Sequence, residues 1–201
     1  MDPKEALGRT TISKKDILVA ATDLFLNDGY ENVSMRKIAG KIGCSPTNLY
    51  NHFTNKEEIL LFLLQDGYSI FLTYLIEARN LHKDEGVLVK LKAAMRAYLQ
   101  FGLDNPGYYK LMFIENMEHY DQIITGESDR MKGFNVLVEL IHEAVSLGVI
   151  SNYGEIVTSQ SVWAALHGLT SLFIMFPTFD WKDRDALMDF HIDTYLKGLQ
   201  N

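Results

Sequence analysis

The sequence predicts an all-α protein, and three observations carry that prediction. Apolar residues recur at three- and four-residue spacing almost throughout, as in Ile17, Ala20, Ala21, Leu24 and Phe25, whereas strand-like alternation is scarce. Polar caps precede the apolar runs, and Gly or Asn-Pro-Gly punctuation ends them. The composition agrees: 201 residues that are 47% apolar and 22% charged can bury one sizeable core or two modest ones, which excludes a disordered chain. Four prolines exclude a proline-rich or collagen-like fibre, and the single cysteine, Cys44, excludes an internal disulfide framework or a cysteine-based zinc site.

The elements follow in order. Ser13 with Asp16 three residues on is a capping box that opens the first helix, and Gly29 stops it. Ser34 caps a short second helix carrying Met35, Ile38 and Ala39 on its apolar side, ended by Gly43. Ser45 caps a third with Pro46 at its first position, where the missing N–H costs nothing; Leu49, Tyr50 and Phe53 read as its buried side. Asn55 with Glu58 caps a long fourth helix running through Ile59, Leu60, Leu63 and Leu64 to about Asn80. Beyond it the punctuation places helices near 85–104, 106–118, 127–148, 155–177 and 183–199, nine in all. The opening Met-Asp-Pro-Lys-Glu-Ala does not read as a secretory signal, and the apolar window 162–176 is too short to span a bilayer comfortably. The expectation is a cytoplasmic protein with no membrane partner.

The charge is unevenly placed. Of the net −7, residues 1–60 contribute nothing, with eight basic and eight acidic side chains, while residues 61–201 carry 11 basic against 18 acidic. Between Asn32 and Lys56 there is no Asp or Glu, although Arg36, Lys37 and Lys41 are present; Arg9, Lys14 and Lys15 add a basic arm. The pattern is that of a small module able to face phosphate joined to an acidic body that cannot.

Two short helices separated by a glycine-containing turn, the second opened by Ser-Pro, have the sequence form of a helix-turn-helix. Gly43 can take the left-handed conformation that turns the chain, and Ala39 is small enough for close helix contact. On the second of these helices Thr47, Asn48, Asn51 and His52 fall away from the Leu49, Tyr50 and Phe53 face, with an outward orientation of Tyr50 at the phosphates left open, and their side chains can donate to or accept from base edges. Cys44, in the turn and without a resolving partner, reads as a small buried hydrophobe rather than a thiol sensor.

The stretch from Ser34 to Leu60 resembles the DNA-binding region of the tetracycline-repressor (TetR) family, and the likeness runs continuously over residues 12–64. It includes Leu24-Phe25, Gly29-Tyr30, Ile38-Ala39, Tyr50 with Phe53, and Lys56-Glu57-Glu58. Further on, Tyr108-Tyr109 after Asn105-Pro106, and Trp163 with His167-Gly168, resemble the regulatory-domain type named for its Trp-His-Gly signature. The resemblance implies a three-helix DNA-binding domain at residues 1–56 and a helical ligand-binding and dimerisation domain at 57–201. It implies that Ser34, Arg36 and Ser45 approach phosphate or the groove edge, that Thr47, Asn48 and Asn51 read bases, and that Tyr50, His52 and Lys56 grip the backbone. It also implies a homodimeric repressor of a palindromic operator, double-stranded DNA as partner, release by a small-molecule effector, and neither a cofactor nor catalysis.

The body is dense in aromatic and Met side chains, a subset of which can line an apolar pocket with a few polar groups. The candidates are Tyr68, Phe71, Tyr98, Phe101, Tyr109, Met112, Phe113, Glu115, Asn116, His119, His142, Trp163 and His167. Small residues at Ser161, Ala164, Ala165, Gly168 and Ser171 beside Trp163, Leu166, Leu169, Leu172 and Phe173 permit close helix approach. With Ala186, Leu187, Phe190, Ile192, Tyr195, Leu196 and Leu199 of the last helix they suggest a four-helix dimer interface. Two other classes compete. Glu139-Leu-Ile-His142 is one copy of the Glu-x-x-His step that metal-dependent helical enzymes use twice, and Glu115 with His119 could join it. A protein-only helical adaptor is disfavoured by the polar side of residues 47–52.

Overall fold

The computed structural model describes residues 12–115 and 128–200. Among them are nine α-helices and one short 3-10 helix, and no strand beyond an isolated Ile150–Gln200 bridge. Arg9, Asn116, Met117, His119 and Gly126 lie outside the described residues. The helices are α1 (Lys14–Asp28), α2 (Met35–Lys41), α3 (Pro46–Tyr50), α4 (Lys56–Leu81), α5 (Val87–Asp104), α6 (Pro106–Phe113), α7 (Ser128–Ser146), α8 (Glu155–Met175) and α9 (Arg184–Leu199). The 3-10 turn Tyr30–Asn32 joins α1 to α2. The chain forms two compact units, Met1–Leu63 and Leu64–Asn201, so α4 begins in one and continues in the other.

In the first unit the caps sit where the residue types place them. Ser13 accepts from the Asp16 N–H at 3.2 Å while the Asp16 carboxylate accepts from the Ser13 N–H at 3.0 Å, closing the capping box. These bonds hold the Asp16 carboxyl below its ordinary range. Gly43 has φ +71°, the left-handed turn between α2 and α3. The start of α4 departs from the expected capping box. Asn55 accepts from the Glu58 N–H at 2.8 Å as expected, but the Glu58 carboxylate reaches past it to the Thr54 N–H at 2.6 Å and hydroxyl at 2.7 Å. Ile17, Phe25, Ile38, Ala39, Leu49, Phe53, Ile59 and Leu60 are all 2% exposed or less, one continuous core under the helix-turn-helix. Each such side chain contributes about 1.5–3 kcal/mol if aliphatic or Phe, enough together to hold three short helices rigid. One described helix, α4, is long and apolar enough to cross a membrane; Ile59, Leu60, Leu63 and Leu64 on it are buried inside the protein, as in a core helix.

The second unit is built around α5, which packs against α6, α7, α8 and α9. Leu91, Met95, Leu99 and Phe101 line its buried sides. Gly102 lets α8 come close: a Cβ there would lie 2.2 Å from the Thr170 methyl and 3.0 Å from the Tyr109 ring. The apolar faces of α8 and α9 divide in a way their composition did not separate. Leu166, Leu169, Phe173, Ile192 and Leu196 are buried within the chain itself, which corrects their assignment to a dimer surface. Ser161, Ala164, Gly168, Leu172 and Phe190 stay exposed.

Candidate nucleic-acid interface

The interface begins with a helix too short to be stable alone. α3 has five residues, and it is held by Leu49, fully buried, by Phe53 just beyond it, and by the Ser45 hydroxyl, which accepts from the Asn48 N–H at 3.3 Å. With those groups pointing inward or along the axis, Thr47, Asn48, Asn51 and His52 are all exposed. Tyr50 is 53% exposed, so of the two orientations open to it the structure takes the outward one and not the side of Leu49 and Phe53. Five residues are little more than one turn, so spacing alone does not fix which way such a side chain leaves.

Beside this edge lies an open concavity of about 400 Å³ lined by Val33, Ser34, Met35, Arg36, Tyr50, Asn55, Lys56 and Glu57. Four of the residues assigned to phosphate or the groove edge, Ser34, Arg36, Tyr50 and Lys56, thus share one hollow at the first turn of α4, where the helix dipole favours an anion. The Ser34 hydroxyl accepts from the Lys37 N–H at 3.2 Å and keeps its own proton free to donate, as does Ser45. Arg36 is exposed and offers a planar fork of donors suited to phosphate.

Lys14, Lys37, Lys41 and Lys56 are engaged within the unit, while Lys15 is exposed. Lys37 pairs with Asp28 at 3.1 Å and Lys41 with Asp23 at 2.5 Å, so the acid-free stretch after Asn32 is balanced by acids of α1 that precede it. The Lys41 hydrogen bond holds the Asp23 carboxyl below its ordinary range. Lys14 is not part of an arm: it lies in the first turn of α1 with its ammonium 3.9 Å from the centre of the Phe62 ring and 4.8 Å from that of Phe53. The Lys56 ammonium donates to the Tyr30 carbonyl at 2.9 Å and lies 4.2 Å from the centre of its ring. Cys44 is half-buried in the turn.

In the second unit the structure brings together most of the residues considered for a ligand. Phe71 meets Tyr98, Phe101 and Phe113 with ring centres 5.0–5.7 Å apart, and Tyr68 meets Phe113 at 6.2 Å. Met112 is buried alongside. Through this aromatic cluster runs a chain of hydrogen bonds. The Trp163 indole donates to the Tyr98 hydroxyl at 3.1 Å, Tyr98 and Tyr109 share a 3.0 Å bond, and Tyr109 meets Nδ1 of His167 at 2.7 Å. The indole can only donate, so the Tyr98 hydroxyl accepts from it; beyond His167 the chain continues from Nε2 to the Ser171 hydroxyl at 3.3 Å. Burial pushes the Tyr98 hydroxyl up, pushes Tyr109 up to about 12, and pushes the His167 imidazole below its ordinary value. Each of these shifts favours the neutral form. His142 is not brought there: it is exposed and pairs with Glu155 at 2.7 Å, while Glu139 pairs with Arg79 at 2.9 Å, so the Glu-x-x-His step does not converge on one point. Glu115, half-buried, ends the described segment after α6.

Comparison with known proteins matches both units. Residues 17–62 fit the profile of bacterial regulatory proteins of the tetR family, and residues 91–195 that of the tetracyclin repressor-like C-terminal domain. A helix-turn-helix-type transcriptional regulator of Bacillus subtilis, YobS, is 24% identical over 193 residues, 95% of this chain and 94% of that protein. A regulatory protein of the tetR family from Rhodococcus RHA1 superimposes with a TM-score of 0.76 at 20% identity, over 94% of this chain and 98% of that one. The fatty acid degradation regulator FadR from Bacillus halodurans does so with a TM-score of 0.71 at 22% identity, over 90% and 93%. The two solved structures share the fold, and the two profiles, the second covering just over half of the residues, establish the lineage: this chain belongs to the TetR family of helix-turn-helix transcriptional regulators.

Proposed function

We propose that the protein is a homodimeric repressor working in the cytoplasm, in which residues 1–56 place one α3 per subunit in successive major grooves of a near-palindromic operator and residues 57–201 bind a small-molecule effector and dimerise. The observation that carries this reading is the exposed polar edge of Thr47, Asn48, Asn51 and His52 on a helix locked from behind, next to the hollow shared by Ser34, Arg36 and Tyr50. Thr47, Asn48 and Asn51 reach base edges, while Ser34, Ser45, Arg36, Tyr50, His52 and Lys56 hold the backbone that sets their register. Two such helices on one face of B-DNA require half-site centres about 34–36 Å apart, or a multiple of that.

The exposed Ser161, Ala164, Gly168, Leu172 and Phe190 of α8 and α9 suit a symmetric helix-on-helix contact with a second copy. The effector is an apolar small molecule that enters the aromatic cluster and competes for one bond of the Trp163–Tyr98–Tyr109–His167 chain. It releases DNA only to the extent that it prefers the conformer whose α4 helices set α3 at the wrong separation. No role in this scheme needs catalysis or a cofactor.

The experiment is selection of bound duplexes from a random pool by the purified protein at moderate salt. A palindromic consensus is expected. Recovery of unrelated sequences at every salt concentration would sink the reading.

A further inference from the structure

We infer that Lys56 is a positioning residue, whose ammonium ties the entry of the helix-turn-helix to its exit and thereby fixes the attitude of α3. The inference rests on the DNA-binding reading above. Lys56 opens α4 directly after the α3 turn, and the residues it grips lie directly before α2. Its ammonium donates to the Tyr30 carbonyl at 2.9 Å, lies 3.5 Å from the Glu31 carbonyl and 4.2 Å from the centre of the Tyr30 ring. That anchor is itself fixed to α1: the Tyr30 ring packs on Phe25 at 5.2 Å, and the Asn32 amide donates to the Asp28 carbonyl at 2.9 Å. Every residue assigned to a base edge lies between the two clamped ends. An ammonium has three donors, and here the carbonyls at the close of a 3-10 turn and a ring face hold it from the protein side.

The consequence separates two kinds of binding. Base-edge bonds need α3 held to a fraction of an ångström, whereas phosphate contacts tolerate a tilted helix and carry no sequence information. Releasing the clamp with the ammonium kept therefore lowers the preference for the selected duplex over random DNA and leaves the salt dependence of random binding in place.

The test compares wild type, Lys56→Met and Tyr30→Leu on two probes across a salt series: a duplex selected by the wild-type protein from a random pool, and an unselected random-sequence duplex. Lys56→Met is expected to lower the ratio of selected to random affinity about tenfold, the discrimination of one base contact. Lys56→Met also removes a charge that lines the phosphate hollow and lowers the salt slope on the random duplex by about 1, whereas in Tyr30→Leu that slope stays at the wild-type value. Tyr30→Leu, which leaves every DNA-facing charge in place, lowers the ratio in the same direction by a smaller factor, about threefold, because both carbonyls remain. An equal fall on both duplexes in Lys56→Met, with the selected-to-random ratio at the wild-type value, gives Lys56 a phosphate role alone and overturns the inference. If Lys56→Met does not fold, Tyr30→Leu decides, and a wild-type ratio in it overturns the inference. A wild-type protein that selects no duplex overturns the DNA-binding reading, and this inference with it.

Discussion

The edge of α3 and the aromatic cluster of the second unit hold comparable sets of polar side chains and treat them in opposite ways. Thr47, Asn48, Asn51 and His52 stand exposed on a backbone pinned by Leu49 and Phe53, so their hydrogen-bonding capacity faces solvent. Tyr98, Tyr109, Trp163 and His167 spend theirs on one another among packed rings. The first arrangement suits a partner that arrives with its own donors and acceptors and finds a rigid reader. The second suits a partner that must displace something, so that binding and rearrangement are the same event. Stability and recognition are therefore expected to separate at α3 and to coincide in the cluster.

The most severe test removes a ring from the cluster. Tyr109→Ala takes away a fully buried aromatic that meets Tyr98, Phe101, Phe113 and His167. A loss of about 3–5 kcal/mol is expected, read as a lowered midpoint of denaturant unfolding with the slope unchanged. Tyr109→Phe keeps the ring and breaks only the chain. It leaves the Tyr98 hydroxyl and His167 Nδ1 without their partner, a loss of about 1–3 kcal/mol by the same measurement. If that variant were as stable as wild type, the chain would be ornament and the contrast with α3 would fail. Asn48→Ala should move affinity and not stability: about 1–3 kcal/mol of discrimination at one operator position, seen by repeating the duplex selection, with unfolding within about 0.5 kcal/mol of wild type.

The smallest expected effect is on pH dependence. The folded His167 titrates below the ordinary imidazole value, so as pH falls below about 6.5 the unfolded chain binds a proton that the folded one refuses. The stability is fully present above the unfolded value and is lost as pH falls through the folded one. Unfolding midpoints between pH 7.5 and 5 should decline in wild type and decline less in His167→Gln. The depressed carboxyls of Asp16, Asp23 and Glu58 act in the same direction at lower pH, below about 4, outside that window.

How much of this was legible in the sequence follows from distance along the chain. Caps and turns are local, so Ser13 with Asp16, Ser34, Ser45 and Gly43 could be placed from residue type and spacing, and the structure puts them there. The exposed side of α3 was legible because Leu49 and Phe53 claim the other side; the orientation of Tyr50 stayed open because a five-residue helix has no periodicity to speak of. Contacts between distant residues were not legible. Nothing in spacing links Lys56 to Tyr30, Lys41 to Asp23, or Trp163 to Tyr98. Composition named most of the aromatic cluster, since apolar rings in a helical body gather in its core, and it also named His142, which a surface Glu155 holds elsewhere. The same blindness joined the two sides of α8 and α9 into one apolar surface.

The placement of Trp163 has an experimental consequence. The chain has two tryptophans, and both belong to the second unit: Trp163 donates to Tyr98 and is 40% exposed, while Trp181 lies between Phe173 and Phe179 and donates to the Phe176 carbonyl. Intrinsic tryptophan emission therefore reports on the second unit alone, and the first unit is dark at that wavelength. A spectral shift on adding operator DNA would be a label-free optical record of a change around the indoles of the second unit.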